Sequence, residues 1–117
     1  MRKISRKGII KKLDALVTKI TLAREPVDVM DGSSVQLGVG HIFSRKHLAT
    51  RWDVTPDGNC HTQAWANNYR HVYNTYPYNT WYIKKFGQKK FDELYQRWNK
   101  VTKISTAELV ELYTRLS

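Results

Sequence analysis

Cys60 is the only cysteine among 117 residues, so neither an intramolecular disulfide nor a cysteine-based zinc site can hold this chain together. A hydrophobic core has to do so alone. A chain of this length removes roughly two-thirds of its unfolded surface from water, enough for one core and too little for two. The sequence therefore predicts one domain over 1–117 and excludes a secreted disulfide scaffold and a multidomain enzyme. A single thiol suits a reducing cytoplasm. The basic start, Met1-Arg-Lys-Ile-Ser-Arg-Lys7, lacks the apolar run of a signal peptide, and no stretch has the length of a membrane span, so no membrane partner is expected.

Hydrophobic periodicity predicts where the core lies. Ile9, Ile10, Leu13, Leu16, Val17 and Ile20 recur at helical spacing, which predicts an amphipathic helix over 8–24 with lysines outward and Pro26 helping to end it. Val27-Asp-Val-Met30 and Val35-Gln-Leu-Gly-Val39, linked by Asp31-Gly-Ser-Ser34, read as a β-hairpin or an irregular ribbon. Residues 44–63 read as loop with short strand content around the turn cluster Thr55-Pro-Asp-Gly-Asn59. Helices are expected over 62–73, over 78–86 closed by Gly87, and over 88–99. Ser105-Thr-Ala-Glu108 is a capping box opening a last helix. The fold class is α+β, mainly helical.

The formal charge is +10, from 20 Lys and Arg against 10 Asp and Glu. Residues 1–24 hold eight of those cations (Arg2, Lys3, Arg6, Lys7, Lys11, Lys12, Lys19 and Arg24) against Asp14 alone. A second run contains Lys84, Lys85, Lys89 and Lys90. Twelve of the fourteen aromatic residues fall between Trp52 and Trp98, so rings and positive charge overlap in the second half. Cations neutralise phosphates and exposed rings stack on unpaired bases, so the expected partner is nucleic acid.

The densest chemistry lies in Gly40-His-Ile-Phe-Ser-Arg45, Arg51-Trp-Asp53, Asn59-Cys-His-Thr-Gln63 and Asn67-Asn68. A nuclease needs a base for water, a divalent cation for the leaving oxyanion and a cation to hold the phosphate. This segment offers residue types for all three. A His on a strand, an Asn in the following loop and a ligand on the next helix match the ββα-metal arrangement of HNH nucleases, with 18 residues from His41 to Asn59 and nine more to Asn68.

These segments, with Ala49-Thr-Arg-Trp-Asp53, Tyr82-Ile-Lys-Lys-Phe-Gly87, Phe91-Asp-Glu-Leu94 and Thr106-Ala-Glu-Leu109, resemble the signature of the NinG/Rap phage recombination endonucleases over about residues 8–116. The resemblance implies a basic N-terminal helix over 1–26, a ββα-metal HNH core over 27–76 and C-terminal helices over 77–117. It implies metal-dependent hydrolysis of branched, nicked or duplex DNA, in the bacterial host cytoplasm. His41 would be the general base, Asn59 would fix its loop by a hydrogen bond, and Asn68 would ligate Mg²⁺ or Mn²⁺. Arg45 and Arg51 would hold phosphates, and His61 would be a second ligand or a phosphate donor. Symmetrical cutting of a four-way junction would require a homodimer.

The sequence departs from the family at two places. The four zinc cysteines fall on Asp28, Asp31, Ala64 and Asn67, so no structural zinc is expected and packing, with Trp52, Trp65 and Trp81 as substitutes, is expected to hold the module. Gly40 stands before His41 where many HNH nucleases carry an acidic ligand, which leaves Asp53 or His61 to complete the coordination. The alternative reading is a catalytically inactive basic DNA-binding module of a recombination or packaging complex.

DNA affinity is expected to fall steeply between low and moderate salt, and Lys11→Gln with Lys12→Gln to weaken binding to all sequences about equally. A fluorescence-polarisation titration at two salt concentrations checks this, and a salt-independent affinity would remove the phosphate-contact reading.

Overall fold

The computed structural model describes residues 4–117; Arg2 and Lys3 of the basic N-terminal run lie outside the described residues. The chain runs α1 (Arg6–Arg24), β1 (Leu37–His41), α2 (Leu48–Arg51), β2 (Cys60–Ala64), α3 (Trp65–Tyr73), α4 (Tyr76–Phe86), α5 (Gln88–Asn99) and α6 (Thr106–Leu116). The class is α+β, mainly helical, with one two-stranded antiparallel sheet. No described helix is long and apolar enough to cross a membrane.

α1 starts at Arg6, two residues before the predicted boundary, because the Ser5 hydroxyl caps it by accepting the Gly8 N–H. Its buried residues Ile9, Leu13, Val17 and Thr21 repeat every fourth position. Ile9, Leu13 and Val17 form one core with Trp52, Cys60 and Leu109. α6 packs against α1, and both hydrogen bonds of its capping box are formed. Ile42, Tyr78, Tyr82 and Leu94 make a second core. The sheet lies between the two, because side chains alternate across a strand.

The predicted pairing of 27–30 with 35–39 does not occur. β1 pairs instead with β2, in the register Leu37↔Ala64 to His41↔Cys60. Asp28 diverts the earlier segment: its carboxylate accepts the Met30 and Asp31 N–H groups at 2.7 and 3.2 Å, and its N–H donates to the Ser33 carbonyl. The 28–33 stretch therefore closes into a tight loop, with Gly32 in the left-handed region at φ 74°. Thr62 to Ala64, expected to be helical, belong to β2, and α3 begins at Trp65. α2 lies in a stretch read as loop and strand. α5 and α6 occupy the expected ranges.

The four positions aligned with zinc cysteines converge, and hydrogen bonds join them. The buried Asp28 carboxylate accepts the Ala64 N–H at 2.6 Å and one Asn67 amide hydrogen at 3.0 Å; the other Asn67 hydrogen goes to Asp31 at 2.8 Å. This knot adds hydrogen bonds to the packing that was expected to hold the module. Trp52 is buried in the first core, but Trp65 lies exposed on the outside of α3.

Asp28→Ala is expected to cost about 3 kcal/mol, since four N–H donors lose one charged acceptor, and Asn67→Ala about 1–2 kcal/mol. Urea unfolding of both variants measures the difference, and equal, small losses would show that the knot does not hold the loop.

Candidate active site

His41 closes β1, and its pairing with Cys60 puts its side chain on the α1 face of the sheet. The half-buried ring places Nε2 2.9 Å from the Arg51 carbonyl. A carbonyl only accepts, so Nε2 carries the proton and Nδ1 keeps the lone pair. Burial lowers the pKa, and the Arg45 and Arg51 cations push the same way, outweighing the Arg51 carbonyl and Asp14. His41 is thus a neutral imidazole with one free basic nitrogen, the form a general base requires.

Asn59 sets that geometry without touching the ring. Its side chain is fully buried, accepting the Phe43 N–H at 2.8 Å and donating to the Phe43 and Thr50 carbonyls at 2.9 and 3.2 Å. The chain just past His41 is thereby tied to α2, whose Arg51 carbonyl holds the histidine. Asn59 thus ties the segment after β1 to α2.

Three other predicted site residues are committed elsewhere. His61 pairs with Gly40, on the opposite sheet face from His41, and is completely buried. One ring nitrogen lies 2.9 Å from Glu25, the other 2.9 Å from the Gly58 carbonyl, and Trp81 and Phe86 enclose the ring. With both nitrogens used, it can be neither ligand nor phosphate donor. Asp53 accepts from Arg97 at 2.8 Å and from the Thr55 N–H and hydroxyl at 3.2 and 2.6 Å, which makes it a turn-former in place of the expected metal ligand. Arg51 donates twice to Asp14, at 3.1 and 2.7 Å, and the Trp52 indole donates to the same carboxylate. Burial pushes the Asp14 carboxyl up, but those three donors hold it below the ordinary range. Arg51 is therefore a strut between α1 and α2 rather than a phosphate ligand.

Arg45 is exposed, makes no side-chain hydrogen bond among the described residues, and its charge acts on His41. Lys11, Lys12, Lys84, Lys85 and Lys89 are exposed and free of ion pairs among the described residues, whereas Lys90 lies 3.2 Å from Asp57. Asn68, half-buried on α3, makes no side-chain hydrogen bond among the described residues. One turn further on, His71 points Nε2 at the Ile42 carbonyl, 3.0 Å away, and His47 stacks on Trp98 at 4.1 Å.

Gln63 decides what can stand before His41. A Cβ on Gly40 would fall 1.9 Å from the Gln63 Oε1, and the fully buried glutamine has no solvent to swing into. An acidic side chain before His41, the ligand that the resemblance would call for, has no room here. Among the described residues no three His, Cys, Asp or Glu side chains gather as metal ligands. With Asp53 and His61 engaged, the ligand set implied by the resemblance does not close; Asn68 alone keeps a free side chain. Glu25 and Asp14, which organise the site's surroundings, carry no spacing signal that singles them out in the sequence.

No family model, curated protein or solved structure matches the chain.

Because the His41 pKa is lowered from 6.5, the folded state binds fewer protons than the unfolded one, so stability is full above that value and falls on acidification. His71, lowered by burial, acts in the same direction. The urea midpoint is expected to drop between about pH 7.5 and pH 5.5, and His41→Gln to remove part of that drop. An unchanged pH profile in the variant would contradict the buried, neutral state of His41.

Proposed function

We propose that this protein is a DNA endonuclease of the HNH type, hydrolysing phosphodiester bonds in branched, nicked or duplex DNA during phage recombination. The observation that carries the reading is His41: neutral, held as a single tautomer by the Arg51 carbonyl, and adjacent to the unpaired cation of Arg45. In this reading Nδ1 takes a proton from the attacking water, Arg45 holds the scissile phosphate, and the lysines of α1, α4 and α5 hold the flanking backbone. Asn59 keeps the loop, and through it the ring, in register. A divalent cation, Mg²⁺ or Mn²⁺, stabilises the leaving oxyanion in enzymes of this kind, but the side chains here do not form a closed site for one.

That last observation favours a second reading, a DNA-binding module without catalysis in a recombination or packaging complex. Gln63 fills the space beside Gly40, and Asp53 and His61 are spent on the fold.

Incubation with supercoiled plasmid and a synthetic four-way junction, in Mg²⁺, Mn²⁺ or EDTA, separates the two. The nuclease reading expects nicking that His41→Ala lowers about 10²–10⁴-fold, with DNA affinity nearly unchanged. Equal cleavage by wild type and variant would move the active site elsewhere, and no cleavage under any condition would leave the binding module.

A further inference from the structure

α3 has an outer face that no described residue covers. Trp65 is 60% exposed, Tyr69 52%, Val72 72% and Tyr73 75%, and Tyr76, at the start of α4, is 73% exposed. The spacing of Trp65, Tyr69, Val72 and Tyr73 places these four on one side of α3. Trp65 stacks on Tyr69 at 5.2 Å and Tyr69 meets Tyr73 edge-on at 5.4 Å, so the rings already form a continuous ladder. An exposed apolar stripe of this extent marks an interaction surface.

Charge identifies the occupant. Between Trp65 and Ile83 the only formally charged side chain is Arg70, in a chain whose net charge is +10. A platform for stacking unpaired bases needs cations alongside it to follow the phosphates, and this face has almost none. An acidic protein would be drawn to the lysine-rich surfaces instead. Two copies of a chain with a net charge of +10 repel each other least where cations are few, and the 65–83 stretch carries Arg70 alone. Interface cores are rich in Tyr and Trp and poor in Lys and Glu, as this stripe is.

We infer that the exposed face of α3 joins two copies of this chain, α3 against α3 about a two-fold axis. Four rings of roughly 200 Å² each, at the exposures given, together with Val72, offer about 600 Å² per protomer, close to the ~800 Å² per partner of a standard interface. The inference stands apart from the nuclease reading, since it uses neither His41 nor DNA.

Sedimentation equilibrium of the full chain without DNA tests it. At tens of micromolar the expected mass is twice the 13.7 kDa of the chain. Trp65→Lys combined with Tyr73→Lys is expected to sediment as a monomer with an unchanged circular-dichroism spectrum. Should that double variant unfold, Val72→Lys takes its place, and is expected to weaken the dimer at least about tenfold by breaking a buried contact at the interface centre. A wild-type monomer at the highest concentration, or a dimer that survives in a folded variant, overturns the inference. An oligothymidylate that quenches the emission of a monomeric wild type, but not of the folded variant, would assign the face to bases instead.

Discussion

Every residue of β2 is buried, yet His61, Thr62 and Gln63 in its middle are polar. A buried polar group left alone costs about 1–3 kcal/mol, and much of the molecule is arranged to supply partners to His61 and Thr62, while the Gln63 Oε1 has none among the described residues. Glu25, just past the end of α1, receives the Thr62 N–H at 3.2 Å and meets His61 with its other oxygen. Burial pushes its carboxyl up, but His61 and Arg24 outweigh that and hold it below the usual range. Arg24 turns inward to the Val54 carbonyl and, at 3.0 Å, to that of Cys60. Asp28 takes the Ala64 N–H, and the Tyr78 hydroxyl reaches across to the Gly40 carbonyl at 2.8 Å. The end of α1, the 28–33 loop and α4 are each located by a bond to the sheet.

Helices were legible where one face alone had to be buried. Ile9, Leu13 and Val17 announce α1, Gly87 separates α4 from α5, and the reciprocal bonds of Ser105 and Glu108 begin α6 where the motif predicts. The sheet was not legible, because strand pairing depends on partners distant in sequence. Val27–Met30 has the composition of a strand and lacks a ladder, while Cys60–Ala64 has polar residues at its centre and forms one. Nothing in the spacing of Asp28, Asp31, Ala64 and Asn67 announces that the two hydrogens of one asparagine amide join the two aspartates.

At the site, residue type identified chemistry without identifying its use. His41 and His61 are the same side chain one strand position from being directly opposed, since His41 opposes Cys60 and Gly40 opposes His61. Alternation sends them to opposite faces, one to a partly open edge and the other into a box of aromatic rings. Arg45 and Arg51 likewise differ only in whether a carboxylate lies within reach, and Asp14, 37 positions before Arg51, is that carboxylate. Such long-range partners are visible only after the chain has folded.

The contact between Gly40 and Gln63 has a historical side. An ancestor or descendant with an acid at 40 could not be reached from this chain by that change alone, since the incoming carbon would collide with a side chain that is sealed in. A smaller residue at 63 has to come first, and by itself it leaves a hollow beside Gly40. The two positions are therefore coupled: a side chain at 40 collides with Gln63, a smaller residue at 63 alone leaves a hollow, and only the two changes together keep the sheet packed.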